Sequence, residues 1–160
     1  MAQIKRINIT NVTASGLAPY YTGLIVGIPG HPIEDVRISN VHFAYRGGGL
    51  AEWTKNVPPE DVNTYPEPQR FGILPASAFF IRHVKGLQMH HVDVTFEKAD
   101  ARPAFVLDDV QGSDFQHVNV QRFENVPLFS LKGVGDFSTQ SVRSLADMRR
   151  DKVEKEDISK

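Results

Sequence analysis

Two adjacent carboxylates, Asp108 and Asp109, are the most obvious candidates for acid–base chemistry in this 160-residue chain. One form of acid–base hydrolysis uses a carboxylic acid and a carboxylate about 6.5–9.5 Å apart, one on each side of the bond that breaks. Neighbouring residues of an extended strand direct their side chains to opposite faces. The pair is therefore poorly placed for this chemistry, and we interpret it as a solvated corner that precedes Val110.

A second pair, Arg82 and His83, occupies the positions equivalent to Asp108 and Asp109 in an internal repeat of the chain. Both pairs are therefore predicted to line one ridge of the fold. An Arg guanidinium can bind a carboxylate in bidentate fashion, which makes Arg82 and His83 candidates for binding a ligand that carries a carboxylate. The alternative is that the two pairs form surface ion pairs between neighbouring strands.

Four further candidates lie in one Pro- and Gly-rich stretch: Trp53, Tyr65, Glu67 and Arg70. Aromatic rings stack on sugar faces and charged groups fix the orientation of a ligand, as in most concave binding sites. Such sites concentrate in loops that project from a rigid scaffold. The alternative is that Tyr65 and Trp53 only pack the loop against the scaffold.

Other common site chemistries are not indicated. The histidines show no spacing typical of a metal site, and His90 and His91 alternate between the faces of a strand. The run Gly47-Gly48-Gly49 opens a Pro-rich loop and lacks the strand-to-helix context of a phosphate-binding loop. No metal or cofactor is therefore predicted. The six histidines are His31, His42, His83, His90, His91 and His117.

These residues are positioned by a repeat with apolar residues at positions 1, 4, 6 and 9. Ser113 is the one exception in the four clear units. Alternation between positions 4 and 6 is typical of a strand with one buried face. Units begin at residues 4, 33, 84 and 110, with a weaker copy at 134. The copies read IKRINITNV, IEDVRISNV, VKGLQMHHV, VQGSDFQHV and VGDFSTQSV.

Another short strand precedes most units, as in Phe79–Arg82 and Ala104–Leu107. Position 11 of the unit is also mostly apolar, so a further short strand follows it. Three strands in each repeat of about 25 residues predict a parallel β-helix of about five coils. Position 8 carries Asn or His, which suits a corner with left-handed backbone geometry, and identical amides there can form a ladder. The residues at position 8 are Asn11, Asn40, His91 and His117.

The repeat also predicts the organisation of the chain. We expect β-helix coils over residues 1–142, with a long loop inserted at 45–75, where Gly and Pro are frequent and periodicity is weak. Residues 143–160 are rich in charge and contain Leu145, Met148 and Val153. They are expected to form a cap or tail, either as a short amphipathic helix or without fixed structure.

Composition narrows the range of partners. The formal net charge is −1, so neither nucleic acid nor an anionic membrane is indicated. The chain has no cysteine, which excludes disulfides and Cys-ligated zinc. No signal segment precedes the first strand unit. Because that unit starts without an upstream cap, the chain is expected to be part of a longer protein and to self-associate through this open end.

Three segments resemble the C-terminal coils of bacterial glycoside hydrolase family 28, the polygalacturonase and rhamnogalacturonase-like enzymes. The resemblance covers most of residues 4–140 and implies a right-handed parallel β-helix, a pectic polysaccharide substrate and inverting hydrolysis without a metal. It also implies a secreted or periplasmic location for the full-length protein. The segments are GIPGHPIEDVRISNVHFAYRGGG (27–49), YPEPQRFGILPASAFFIRHVKGL (65–87) and DARPAFVLDDVQG (100–112).

The catalytic motifs of the family are absent from matching positions. Gly30-His31-Pro32 only partly resembles the Gly-His-Gly motif of the family, and Asp108-Asp109 falls in a late coil. Ser77 stands where relatives often carry a tyrosine. The resemblance thus predicts a portion that extends the substrate cleft and caps the β-helix, without catalysis of its own. A non-catalytic module that binds acidic oligosaccharides, or a structural assembly module, are the alternatives.

Overall fold

The computed structural model describes residues 3–60, 62, 63, 65 and 67–159, and these form an all-β structure. Six of the seven strands follow the order β1-β3-β4-β5-β6-β7 in one sheet, while β2 pairs with β4. Every pairing is parallel except that of β6 with β7. The strands are β1 (Lys5–Leu17), β2 (Gly23–Val26), β3 (Ile33–Tyr45), β4 (Phe79–Phe96), β5 (Phe105–Val120), β6 (Phe129–Gln140) and β7 (Met148–Ile158).

The strand register matches the alignment of the five sequence repeats. Position 4 of each unit pairs with position 4 of the next, so the weak copy at 134 is a structural repeat as well. Ser113, the polar exception, is buried between its register partners in β4 and β6. The aligned residues are Ile7, Val36, Leu87, Ser113 and Phe137.

Single residues with left-handed backbone geometry interrupt the long strands. These residues have no register partner in the neighbouring strand. The φ angles of Asn11, Asn40, His91 and His117 lie between 51° and 59°, as position 8 predicts. Asn, Asp and His tolerate this region better than most residues because a short polar side chain can hydrogen-bond locally. Further interruptions are found at Arg6, Asp35, Gly86, Gly112 and Asp136, and at His83, Asp109 and Gly133.

Side chains at position 8 stack from strand to strand. The Nδ2 of Asn40 donates to the Oδ1 of Asn11 at 2.5 Å, so the predicted amide ladder is present between β1 and β3. Between β4 and β5 the ladder continues as two parallel imidazoles, His91 and His117, with ring centroids 4.9 Å apart. These two histidines therefore have a structural role at the corner.

Aromatic contacts show that a strand turns back to enclose a core. The rings of Phe105 and Phe115 lie 5.3 Å apart, although ten residues of straight strand would separate them by about 33 Å. Phe129 and Phe137 of β6 make a similar contact at 5.2 Å. The core also contains Tyr45, whose hydroxyl donates to the carbonyl of Ala78 and whose phenol pKa is raised by burial.

The C-terminal segment corrects the sequence prediction. A short helix is one of the expected forms of residues 143–160, but the structure has strand β7 there, antiparallel to β6. Val153 and Ile158 are buried against the core, and β6 supplies hydrogen-bonding partners along β7. A short isolated helix would have only marginal stability in water. The ion pair between Arg150 and Glu156, 3.0 Å apart, joins residues six positions apart, which do not share a helix face.

The predicted loop is present and is slightly longer than expected. No strand lies between the end of β3 at Tyr45 and the start of β4 at Phe79 in the described residues. The loop, here residues 46–78, contains two 3-10 helices, Ala51–Lys55 and Pro68–Phe71. No helix among the described residues is long and apolar enough to cross a membrane.

Candidate ligand-binding groove

Strand register brings two rows of side chains together on the face beneath the loop. One row joins Phe80, Val106, Ser130 and Asp157 across β4, β5, β6 and β7. The other row joins Arg82, Asp108, Lys132 and Lys155 in the same order. It lies two residues later on β4, β5 and β6 and two residues earlier on the antiparallel β7. Because residues two apart share a face of a strand, both rows are on one surface.

This surface is the floor of an open cavity of about 510 Å³, which we call the lysine groove. One wall is the loop segment 54–58, and the other is formed where β5 and β6 begin. The side chains that define the groove chemically are Lys55, Asp108, Ser130, Lys132, Lys155 and Asp157. Neighbouring strands are about 4.8 Å apart, so four strands give a floor about 14 Å long.

The charges of the lysine groove are only partly compensated. The Nζ of Lys132 lies 3.4 Å from Oδ1 of Asp108, and the Ser130 hydroxyl donates to Oδ1 of Asp157 at 2.6 Å. Lys132 and Lys155 are direct register partners, an arrangement of like charges that destabilises a sheet. With Lys55 in the wall, three cations face two carboxylates, which favours an anionic ligand.

Arg82 lies beneath the loop and anchors it. Its Nη1 donates to the Pro58 carbonyl at 2.8 Å and its Nη2 donates to the Pro59 carbonyl at 3.0 Å. The side chain is 2% exposed, and the guanidinium also lies 3.7 Å from Glu60. The guanidinium is therefore occupied by the loop in this structure and does not line the lysine groove. The ligand role that the sequence suggests for Arg82 stays a prediction.

His83 makes a side-chain contact between neighbouring strands, which is the alternative to a ligand role. Its Nδ1 is 2.6 Å from Oδ2 of Asp109, and its Nε2 is 3.1 Å from Oε1 of Glu60. Asp109 is in the left-handed conformation, with a φ of 54°, so it forms the corner predicted before Val110. Asp108 lines the lysine groove whereas Asp109 pairs with His83 at the corner, and the two carboxylates have separate partners.

A buried ion pair closes the base of the loop. Asp100 and Arg102 are 1% and 0% exposed, with Oδ2 and Nη2 at 2.8 Å. The amide of Gly49 donates to Oδ2 of Asp100, and Nη1 of Arg102 donates to the carbonyl of Leu74. The pair thus joins both ends of the loop. A Cβ on Gly49 would lie 2.4 Å from Asp100, so this glycine allows close packing.

The predicted loop candidates separate into two groups. Tyr65 and Arg70 line a second, smaller cavity together with Arg82. The rings of Trp53 and Tyr20 pack in a tilted arrangement with centroids 5.7 Å apart, and Trp53 lies 5.2 Å from the guanidinium of Arg102, which is the packing alternative. Glu67 is exposed just before the second 3-10 helix and lines neither cavity.

Two other positions singled out in the sequence have structural surroundings. Ser77 is buried, its hydroxyl donates to the Pro103 carbonyl at 3.3 Å, and Ser77 does not line the lysine groove. A Cβ on Gly47 would lie 2.0 Å from the carbonyl oxygen of Lys98, so the glycine run packs against the turn after β4. No cluster of three potential metal ligands is present in the part of the chain that the structure describes.

The groove residues that the sequence did not single out are Lys55, Ser130, Lys132, Lys155 and Asp157. The repeat alignment places Lys132 level with Asp108, so this lysine had a detectable signal. Lys155 and Asp157 had none, because they reach the groove through the antiparallel return of β7.

Comparison of the chain with protein-family models, curated proteins and solved structures finds no match.

Replacing Arg82 by methionine is expected to free the loop from the sheet. Each hydrogen bond to a charged group contributes about 1.5–3 kcal/mol, and the change removes two such bonds. Limited trypsin digestion should therefore cleave after Lys55 and Arg70 at least about tenfold faster than in the parent chain. Arg37→Met, at an exposed position of β3, is the control and should leave this rate unchanged. Equal cleavage in both variants would contradict the anchoring role.

Proposed function

We propose that the chain is a right-handed parallel β-helix and contributes the C-terminal coils of a polygalacturonase-like glycoside hydrolase. Support for the architecture comes from the parallel register, from the left-handed residues at equivalent positions of each repeat and from the ring contacts within single strands. Support for the family comes from the resemblance of residues 27–49, 65–87 and 100–112 to its bacterial members.

The lysine groove carries the functional part of the proposal. Lys132 and Lys155 oppose each other on adjacent strands, and Lys55 faces them from the loop. A uronate carboxylate between the two register partners would relieve their repulsion and form charge-assisted hydrogen bonds. The open groove crosses four strands, so it suits an extended polymer of acidic sugars. We therefore assign pectic polysaccharide as the ligand.

The partners of the described carboxylates support a binding role for this segment, without catalysis of its own. Inverting hydrolysis requires an acid and a carboxylate about 6.5–9.5 Å apart across the scissile bond. Asp109 is held by His83 at the corner, and Asp157 accepts a hydrogen bond from Ser130. Asp108 pairs with Lys132 and has no neighbouring acid in the same row. The same observations favour, as the alternative, a non-catalytic module that binds acidic oligosaccharides.

Replacing Lys155 by alanine is expected to weaken binding of galacturonate oligomers at least about tenfold, because one charge-assisted hydrogen bond contributes about 1.5–3 kcal/mol. Titration calorimetry at two salt concentrations measures this, and affinity should fall as salt increases. The matched control is Lys152→Ala, also on β7 but outside the groove. No saturable binding, or equal losses in both variants, would exclude the lysine groove as the site.

A reducing-end assay with polygalacturonate tests the catalytic part separately. We expect no turnover by this chain alone. Turnover that disappears in Asp108→Asn would place the catalytic centre within these residues and would replace the binding role by an enzymatic one.

A further inference from the structure

A second cavity of about 230 Å³ lies under the distal part of the loop, and we call it the loop cavity. Pro58 lines the lysine groove whereas Pro59 lines the loop cavity, and Arg82 binds the carbonyls of both. The anchored proline pair therefore separates the two spaces. A polysaccharide in the groove does not continue into the loop cavity unless this anchor opens.

The walls of the loop cavity are mainly apolar. Val26 and Ile28 come from β2 and the turn after it, while Val62 and Phe71 come from the loop. Burying a hydroxyl against such walls without a hydrogen-bond partner costs about 1–3 kcal/mol of binding free energy. A polyhydroxylated sugar is therefore disfavoured here, and a flat apolar ring is favoured. The volume equals roughly eight bulk water molecules, which allows a single ring with one small substituent.

The charged residues of the loop cavity favour an anion. Arg70 and Arg82 contribute two guanidinium groups, and Glu60 contributes the one carboxylate among the described lining residues. That carboxylate is already engaged by His83 at 3.1 Å and lies 3.7 Å from Arg82. In addition, the buried Nε of Arg82 has no hydrogen-bond acceptor among the described residues. Buried donors in native structures are almost always paired, so an acceptor supplied by a ligand accounts for it.

We propose that the loop cavity binds a small aromatic carboxylate. The ring packs between Val26, Ile28 and Phe71, and Tyr65 covers it from the loop. One carboxylate oxygen accepts from the Nε of Arg82, and the other faces the exposed guanidinium of Arg70. This site is distinct from the lysine groove in position, volume and polarity, and it does not depend on the polysaccharide ligand.

Benzoate is the probe, and the readout is the change in backbone amide chemical shifts of the full chain during titration. Saturable shifts are expected at Gly27 and Phe71, and benzamide, which has the same shape without the charge, should bind at least about tenfold more weakly. Arg70→Met should raise the Kd for benzoate by a similar factor. Arg37→Met, remote on β3, should leave that Kd unchanged.

Three outcomes would overturn the proposal: no saturable shift with benzoate, equal affinity for benzamide, or an unchanged Kd in Arg70→Met. Saturating the chain with a galacturonate oligomer should not displace benzoate. Displacement would show that the two spaces are one site and would also overturn the proposal. Failure of benzoate to bind leaves the galacturonate titration unaffected, so the two hypotheses are tested independently.

Discussion

Replacing Asp100 by asparagine is expected to lower the free energy of unfolding by about 3–5 kcal/mol, because the buried Arg102 loses its counter-charge. Both carboxylate oxygens of Asp100 accept two hydrogen bonds. Oδ1 accepts from the backbone amide and the Nε of Arg102, and Oδ2 accepts from the amide of Gly49 and the Nη2 of Arg102. In Asp100→Asn, an amide NH2 group replaces one of these two oxygens. It would point its own N–H donors at N–H donors, so the hydrogen bonds at that position would be lost. Urea denaturation, analysed by linear extrapolation, measures the loss.

The matched control is Asp151→Asn, whose side chain is 91% exposed beside Arg149. An exposed ion pair contributes little, so the control should change stability by less than about 1 kcal/mol. The Asp100 variant should also expose the loop to trypsin, since the ion pair joins Gly49 and Leu74 at its two ends. A loss below about 1 kcal/mol would show that the pair does not secure the loop.

Replacing Phe105 by alanine is expected to lower the free energy of unfolding by about 3–5 kcal/mol, through lost burial and the cavity left behind. Phe105 is fully buried and stacks between Phe79 at 5.7 Å and Phe129 at 5.1 Å. Its edge contact with Phe115 also links two parts of the same strand. Calorimetric melting and urea denaturation both measure the effect, which should appear in one cooperative transition.

Tyr20→Ala removes an aromatic ring that is 52% exposed and is the control for Phe105→Ala. This change should cost less than about 1 kcal/mol, since surface substitutions away from buried features have small effects. Phe105→Leu should fall between the two, because more of the volume is kept. Similar losses for Phe105→Ala and Tyr20→Ala would mean that the aromatic stack does not organise the core.

Much of the strand register could be predicted from the sequence because the repeat records it. The apolar positions of the units at 4, 33, 84, 110 and 134 align in space as they align in the sequence. The corners were detectable too, since left-handed geometry selects Asn, Asp, His and Gly. The weak alternation of residues 148–158 did not indicate a strand. Its pairing partner, β6, determines that conformation, and propensity alone does not identify a partner.

The candidate site was predictable only where it follows the repeat. Alignment placed Arg82, Asp108 and Lys132 in one row, yet whether Arg82 faces solvent depends on the loop above it. The sequence of that loop has no periodicity, so it does not indicate that the Pro58 and Pro59 carbonyls accept hydrogen bonds from Arg82. Lys155 joins the groove from a strand of opposite direction, which no parallel repeat anticipates.

The antiparallel strand β7 has a further consequence for self-association. A parallel sheet that ends in an open strand offers unpaired backbone groups to any other chain, and this is a common start of aggregation. Here the exposed edge belongs to β7, and eight of its eleven residues carry Arg, Lys, Asp or Glu. Charged edge strands repel a flat incoming strand. At this end of the sheet, the charged side chains of β7 therefore disfavour the addition of a further strand from another copy of the chain.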